Sequence, residues 1–232
     1  MSSSALKDRI LFEDNHLFVV NKLPSEIVQG DKTGDVPLLD HCKAYIKEVY
    51  DKPFNVYLGL VHRIDRPVSG AVIFAKTSKA LSRLNEQIRD QKIQKTYWAI
   101  VKNRPPKEAD HLVHYLIKNE KNNKSTAHDA EKKGTKRAEL KYKLIKESKD
   151  YYLLEVDLLT GRHHQIRTQL AKIGCPIKGD LKYGFDRSNK DKSISLHARY
   201  LSFTHPVTKE RINITADPIK DPLWNYFLES LK

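Results

Sequence analysis

On either side of Lys149-Asp150, apolar residues recur at every second position: Leu140, Tyr142 and Leu144 before the pair, Tyr152, Leu154, Val156 and Leu158 after it. Side chains alternate between the faces of a strand, so the pattern predicts two antiparallel strands joined by a tight turn and buried on one face. Residues 9–13 and 16–22 flank Asp14-Asn15 as a second hairpin, and residues 193–203 and 210–215 flank a turn at His205-Pro206. Ala71 to Ala75 and residues 95–101 have the apolar, β-branched and aromatic content of further strands.

Helical patterns fall between these pairs. Residues 38–50 repeat apolar side chains at Leu39, Cys42, Ile46 and Val49, and residues 30–34 before them read as loop. Thr77 or Ser78 caps a second helix with Leu81, Leu84 and Ile88 inward. Residues 165–172 form a third, stopped by Gly174-Cys175-Pro176. Asp221 then Pro222, an N-cap followed by a first-turn proline, opens the last. Strand pairs without regular β-α-β alternation predict an α+β fold with a mixed, largely antiparallel central sheet and flanking helices.

The chain has 42 Lys and Arg against 29 Asp and Glu, a formal charge of +13, which points to a polyanionic partner such as RNA. No basic amphipathic helix with a bulky apolar face and no membrane-spanning apolar run is visible, so a membrane is the weaker expectation. The N-terminal residues have no signal-peptide core, and Cys42 and Cys175 stand far apart outside any CxxC pairing. Two reduced cysteines in a cytoplasmic protein is the expectation. No metal site is expected: His163 and His164 are adjacent, so on a strand or a helix their rings diverge, and no other spacing resembles a zinc site. Residues 118–146 are dense in lysine and read equally well as a solvated loop or as a protruding hairpin lying along RNA.

Two segments carry chemistry. In Leu60-Val61-His62-Arg63-Ile64-Asp65-Arg66-Pro67-Val68-Ser69-Gly70, one carboxylate sits between two arginines in a turn that runs into a strand. Nearby cations keep a carboxylate ionised, as a nucleophile requires, but the same residues also describe an aspartate that merely neutralises Arg63 and Arg66 or caps the turn. In Leu159-Thr160-Gly161-Arg162-His163-His164-Gln165-Ile166-Arg167, a strand ends at a glycine and a helix begins amid donors suited to phosphate or carboxylate. Cations at a helix start oppose its dipole, which suggests that they are used, and Arg167 is the residue to pair with Asp65.

HRIDRPVSG followed by AVIFAK, KTYWAIV and LLTGRHHQIRTQLA resembles the RluA-type pseudouridine synthase family of RNA-modifying enzymes. ILFEDNHLFVVNK, KGDLKYG and LHARYLSFTHPVTKE extend the likeness over nearly the whole chain. The resemblance implies a catalytic domain over residues 9–232 with a basic cleft, behind a flexible lead of residues 1–8 and without the accessory RNA-binding domain of many relatives. It implies that Asp65 is the nucleophile, that Arg167 pairs with it, and that Tyr97 stacks on the target base. It also implies RNA contacts at Arg63, Arg66, Arg162 and His164, joined by Lys95 two residues before Tyr97. Departures fall at Pro67-Val68, at Gln169 where a histidine is common, and at Ser25. None touches Asp65, Tyr97 or Arg167.

Turning uridine into pseudouridine needs no redox change and no group donor, in keeping with the lack of any nucleotide-binding fingerprint, so no cofactor is expected. A uridine inside a helix must be flipped out at a cost of a few kcal/mol. Stacking on an aromatic ring returns about 1–3 kcal/mol of that. The rivals are a non-catalytic RNA-binding or ribosome-assembly factor on the same fold, and a hydrolase using His62 with Asp65. Ribosomal RNA is favoured over transfer RNA as substrate, and a monomer is expected.

Overall fold

The computed structural model describes residues 3–231, which divide into two compact units. Residues up to Ile93, with Ala198–Asp217, make the first; Gln94–His197 and Pro218 onward make the second. Among the described residues no helix is long and apolar enough to cross a membrane.

In the first unit, β1 (Ile10–Glu13) and β2 (Leu17–Lys22) form the predicted hairpin, its turn closed by Asp14, whose carboxylate accepts the amides of His16 and Leu17 (2.8 and 2.7 Å). β2 pairs antiparallel with β4 (Ser69–Ala75), with Phe18 opposite Phe74 and Val20 opposite Val72. β3 (Gly59–Leu60) adds a short antiparallel pairing at the far end of β4, and β10 (Leu196–Thr204) pairs with β11 (Arg211–Thr215). Every residue of β4 is buried, because both faces of the sheet are covered. Phe18 meets Tyr45 of α2 (Leu38–Val49) on one side, while Leu17, Val19, Ile73 and Ala75 pack with Ala80 and Leu84 of α3 (Ser78–Arg89) on the other. Thr77 caps α3 by accepting the Ala80 amide.

Two expectations change here. The inward stripe of α2 is Leu38, Cys42, Tyr45 and Ile46 rather than Leu39, Cys42, Ile46 and Val49; the observed spacing of four, three and one keeps one helical face, whereas Val49 lies half exposed at the end. Residues 3–7, expected to lead in flexibly, form a short helix, α1 (Ser3–Lys7), because Leu6 is fully buried.

The second unit is an antiparallel sheet in the order β5 (Gln94–Val101), β9 (Tyr152–Leu158), β8 (Lys136–Glu147), β6 (Ala109–Asn119), β7 (Lys124–His128). The alternation around Lys149-Asp150 becomes the β8–β9 hairpin, with Leu140 opposite Leu158, Tyr142 opposite Val156 and Leu144 opposite Leu154. The lysine-rich region is a β6–β7 hairpin followed by β8, so the solvated-loop reading gives way. β6 escaped the sequence reading because a histidine fills one of its inward slots: Leu112, His114 and Leu116 are the buried positions.

Residues directly opposite in an antiparallel pair share a face. Tyr97, Val156 and Tyr142 therefore lie on one side, together with Leu140 and His114, and α4 (Gln165–Lys172) covers that side. Trp98, Ile100 and Leu153 lie on the other, under Trp224 and Phe227 of α5 (Pro222–Ser230). Asp221 caps α5 through the amides of Leu223 and Trp224, as its sequence predicts.

Candidate active site

The Asp65 turn belongs to the first unit. Val68 N–H donates to the Asp65 carbonyl (3.0 Å), closing a four-residue turn between the buried apolar side chains of Ile64 and Val68, and Asp65 itself is half-buried. His62 Nε2 accepts the Ile73 amide of β4 (3.2 Å). Its lone pair thus holds a strand, which removes the general base that the hydrolase reading needs.

Lys22, which the sequence reading placed only in the opening hairpin, supports this turn from below. It is fully buried at the end of β2, and its ammonium donates to the carbonyls of Leu23 (2.8 Å), Glu26 (2.8 Å) and Arg66 (3.0 Å). Three protons meet three acceptors. The Arg66 carbonyl also accepts Ser25 N–H (2.9 Å), so the residue after Asp65 is held by two donors, one at the end of β2 and one in the loop that follows it. Burial draws the Lys22 ammonium down to about 7, against the pull of the Glu26 and Asp65 carboxylates.

An unfolded lysine keeps its proton to about 10.4, so between about pH 7 and 10 the unfolded chain holds one more proton than the folded chain at this site. Stability contributed by this group therefore rises with pH across that window. Lys22→Met should flatten the rise relative to the wild type when urea midpoints are taken from pH 6.5 to 9.5. Parallel pH profiles for the two proteins would disprove the assignment.

Gly70 opens β4 at φ +120°, and a Cβ there would lie closer than 3.0 Å to the backbone of Ala198. No side chain can bend out of a backbone contact. Gly70→Ala is expected to cost about 3 kcal/mol or more in urea unfolding. A loss below about 1 kcal/mol would mean that β10 yields.

Of the two arginines beside Asp65, Arg66 is ion-paired with Asp35 and reaches Thr33 (3.4 Å), whereas Arg63 is exposed and has no hydrogen bond or ion pair among the described residues.

The second unit holds Lys95, Tyr97, Arg162, His164 and Arg167. Tyr97 is buried on the α4 side of β5. Arg167 is 5% exposed and makes a bidentate pair with Asp180, Nε to Oδ2 at 2.7 Å and Nη2 to Oδ1 at 2.9 Å. Its guanidinium also stands 5.0 Å from the centre of the Tyr183 ring. Tyr183 Oη accepts the Ser125 amide (2.8 Å) and shares a hydrogen bond with His164 Nδ1 (2.9 Å). Burial, with the Arg167 charge next in size, pushes His164 down to about 2, so it stays neutral at physiological pH and offers no charge to a phosphate.

His163 and His164 do not diverge as expected. His164 takes a left-handed conformation (φ +51°) as the N-cap of α4, and the two rings stack with centroids 3.7 Å apart. Ser125 Oγ has one proton, which goes to the His163 carbonyl (2.8 Å), so His163 Nδ1 donates to Oγ (2.9 Å).

Two buried glutamines of α4 are tied to the chain around them. Gln165 accepts from Thr160 Oγ1 (2.8 Å) and Arg162 N (2.9 Å) and donates to the Glu139 carbonyl (2.9 Å). Gln169 donates to His114 Nδ1 at 3.0 Å. Arg162 is exposed and donates through Nε to the Arg137 carbonyl (3.0 Å).

Asp180 and Tyr183 were visible in the sequence only as part of KGDLKYG. A carboxylate and an aromatic placed directly after a helix that carries a buried arginine were the available signal.

Comparison with known proteins puts this arrangement in context. The sequence pattern of the family described as RNA pseudouridylate synthase matches residues 16–172. The ribosomal large subunit pseudouridine synthase C of Buchnera aphidicola subsp. Acyrthosiphon pisum is 34% identical over 231 residues, spanning 97% of this chain and 71% of that protein. The Escherichia coli K12 protein of the same name is 33% identical over 221 residues, spanning 92% and 67%. Among solved structures, human RNA pseudouridylate synthase domain containing 4 superimposes with a TM-score of 0.80 at 22% identity, covering 99% of this chain and 95% of that one. That likeness is one of fold.

Proposed function

The chain belongs to the RNA pseudouridylate synthase family, isomerases that convert uridine to pseudouridine in RNA, and we propose that it modifies uridines of large-subunit ribosomal RNA in the cytoplasm, with Asp65 as nucleophile. The observation carrying the ribosomal assignment is the 34% identity over 231 residues to a ribosomal large subunit pseudouridine synthase. The net charge of +13 suits a large RNA.

In the reaction the C1′–N1 bond breaks, the ring turns, and a C1′–C5 bond forms while C5 loses a proton and N1 gains one. Nothing is oxidised, and the chain's own side chains suffice. The target uridine leaves its stack and lies against Tyr97, which offsets part of the flipping cost. Asp65 attacks as the carboxylate, Arg167 supports the reacting centre with its guanidinium, and the exposed Arg63 and Arg162 take phosphates. His164 serves by seating Tyr183 behind Arg167. The protein works as a monomer.

The test is direct. Ribosomal RNA from a strain lacking the gene is incubated with the purified chain and read by carbodiimide labelling and primer extension. New pseudouridines in large-subunit RNA are expected. Product confined to transfer RNA would overturn the substrate, and product in neither would overturn the reading.

A further inference from the structure

Lys95 lies at the start of β5 in the second unit. It is half-buried, yet its ammonium has no hydrogen-bond or ion-pair partner among the described residues. Its Nζ lies 3.9 Å from where a Cβ on Gly161 would sit, so it rests beside the bare backbone of the loop that leads into α4. A lysine with no partner gains nothing from being held in so dry a place. Burial accordingly lowers its pKa. Two other cations of this unit that leave solvent are matched: Arg167 with Asp180, Lys178 with Asn189 (2.7 Å).

Position supplies the second observation. Lys95 and Tyr97 are two residues apart on β5, so both project from the same face, with Cα atoms roughly 7 Å apart. That separation is of the order of the reach from a nucleobase to its own phosphate. Gly161 leaves the space next to the ammonium open, where any larger residue would occupy it.

We propose that Lys95, in the opening left by Gly161, is the seat for the phosphate of the same nucleotide whose base lies on Tyr97. This rests on the reading of Tyr97 as the base platform. It makes Lys95 a substrate-positioning residue: the anion completes a cation that the fold leaves unmatched, and the phosphate fixes where the ribose comes to rest. Because the bound anion restores the charge that burial disfavours, binding takes up protons and weakens as pH rises.

The test uses the intact chain and mononucleotides, so it does not depend on knowing the target RNA. Uridine, uridine 5′-monophosphate, uridine 3′-monophosphate and inorganic phosphate are titrated into the wild type, Lys95→Ala, Lys95→Arg and Gly161→Val, following ring resonances of Tyr97 by NMR. A hydrogen bond to a charged group predicts that the wild type prefers one monophosphate over uridine by about tenfold or more. Lys95→Ala should erase that preference while still binding uridine, Lys95→Arg should keep it, and Gly161→Val should reduce it. The preference should also shrink from pH 7 to pH 9.5.

An equal preference in Lys95→Ala, no preference or no binding in the wild type, or inorganic phosphate binding as tightly as the monophosphate would each overturn the proposal. Thermal midpoints within a few degrees of wild type establish that the variants are folded, and the neutral Lys95→Gln, which should also erase the preference, serves in place of Lys95→Ala if the latter is not. The readout is binding rather than product, so failure to modify ribosomal RNA is a separate outcome that leaves this result standing.

Discussion

Asp65→Asn is expected to reduce pseudouridine formation at least about a thousandfold while RNA affinity changes by no more than about threefold. Asparagine has nearly the same shape but no anionic oxygen, so it cannot form the covalent intermediate. The backbone closure of the turn does not use the carboxylate. Its closure is the Val68 amide on the Asp65 carbonyl, and its anchors are Lys22 and the Ser25 amide on the Arg66 carbonyl. All of these are backbone acceptors that the substitution leaves in place. Removing a negative charge also eases the approach of a polyanion. Product from the Asn variant at more than a few per cent of the wild-type rate would remove Asp65 from the role of nucleophile. A collapse of RNA binding would make it a structural residue instead.

The second large effect lies at Arg167 and Asp180. The two side chains are 5% and 1% exposed, and their bidentate pair is the most deeply buried Arg–carboxylate interaction described in the second unit. Removing one member strands the other's charge without that partner, which typically costs about 3–5 kcal/mol. Asp180→Ala and Arg167→Ala should therefore each lower the urea midpoint steeply, and each should lose activity. The informative protein is the double variant Arg167→Met/Asp180→Leu. Replacing both charges with apolar groups of similar bulk should recover most of the lost stability, because neither member of the pair is then left buried without the other. Activity should stay absent if Arg167 supports the reacting centre. Recovery of activity along with stability would reduce Arg167 to scaffolding. Losses below about 1 kcal/mol in the single variants would mean that water reaches the pair.

Features with short-range causes are legible in the sequence. The β8–β9 hairpin, the Asp14 turn, the Thr77 cap, the Asp221-Pro222 helix start and the Gly174 stop each rest on residues within a few positions of one another. The failures were of a different kind. α2 had several candidate apolar stripes, and only the sheet packed against it selected the one through Leu38 and Tyr45. β6 was hidden because His114 occupies an inward slot, which becomes acceptable once Gln169, 55 residues later, supplies a hydrogen bond. His163 and His164 were judged by strand and helix geometry, and the left-handed turn at His164 obeys neither.

Sequence alone determined which residues are candidates for chemistry, since their types, order and motifs are properties of the chain: Asp65 between arginines, Tyr97 on a strand, Arg167 one turn into a helix. What those candidates are bonded to was decided only by tertiary structure. Lys22 meets a carbonyl 44 residues away, Arg167 finds Asp180, and His164 loses its charge in a dry site shared with Tyr183. The physical reason is that hydration and ionisation depend on which groups share a small volume after folding. Contacts between distant positions leave no periodic trace in the string of residues that makes them.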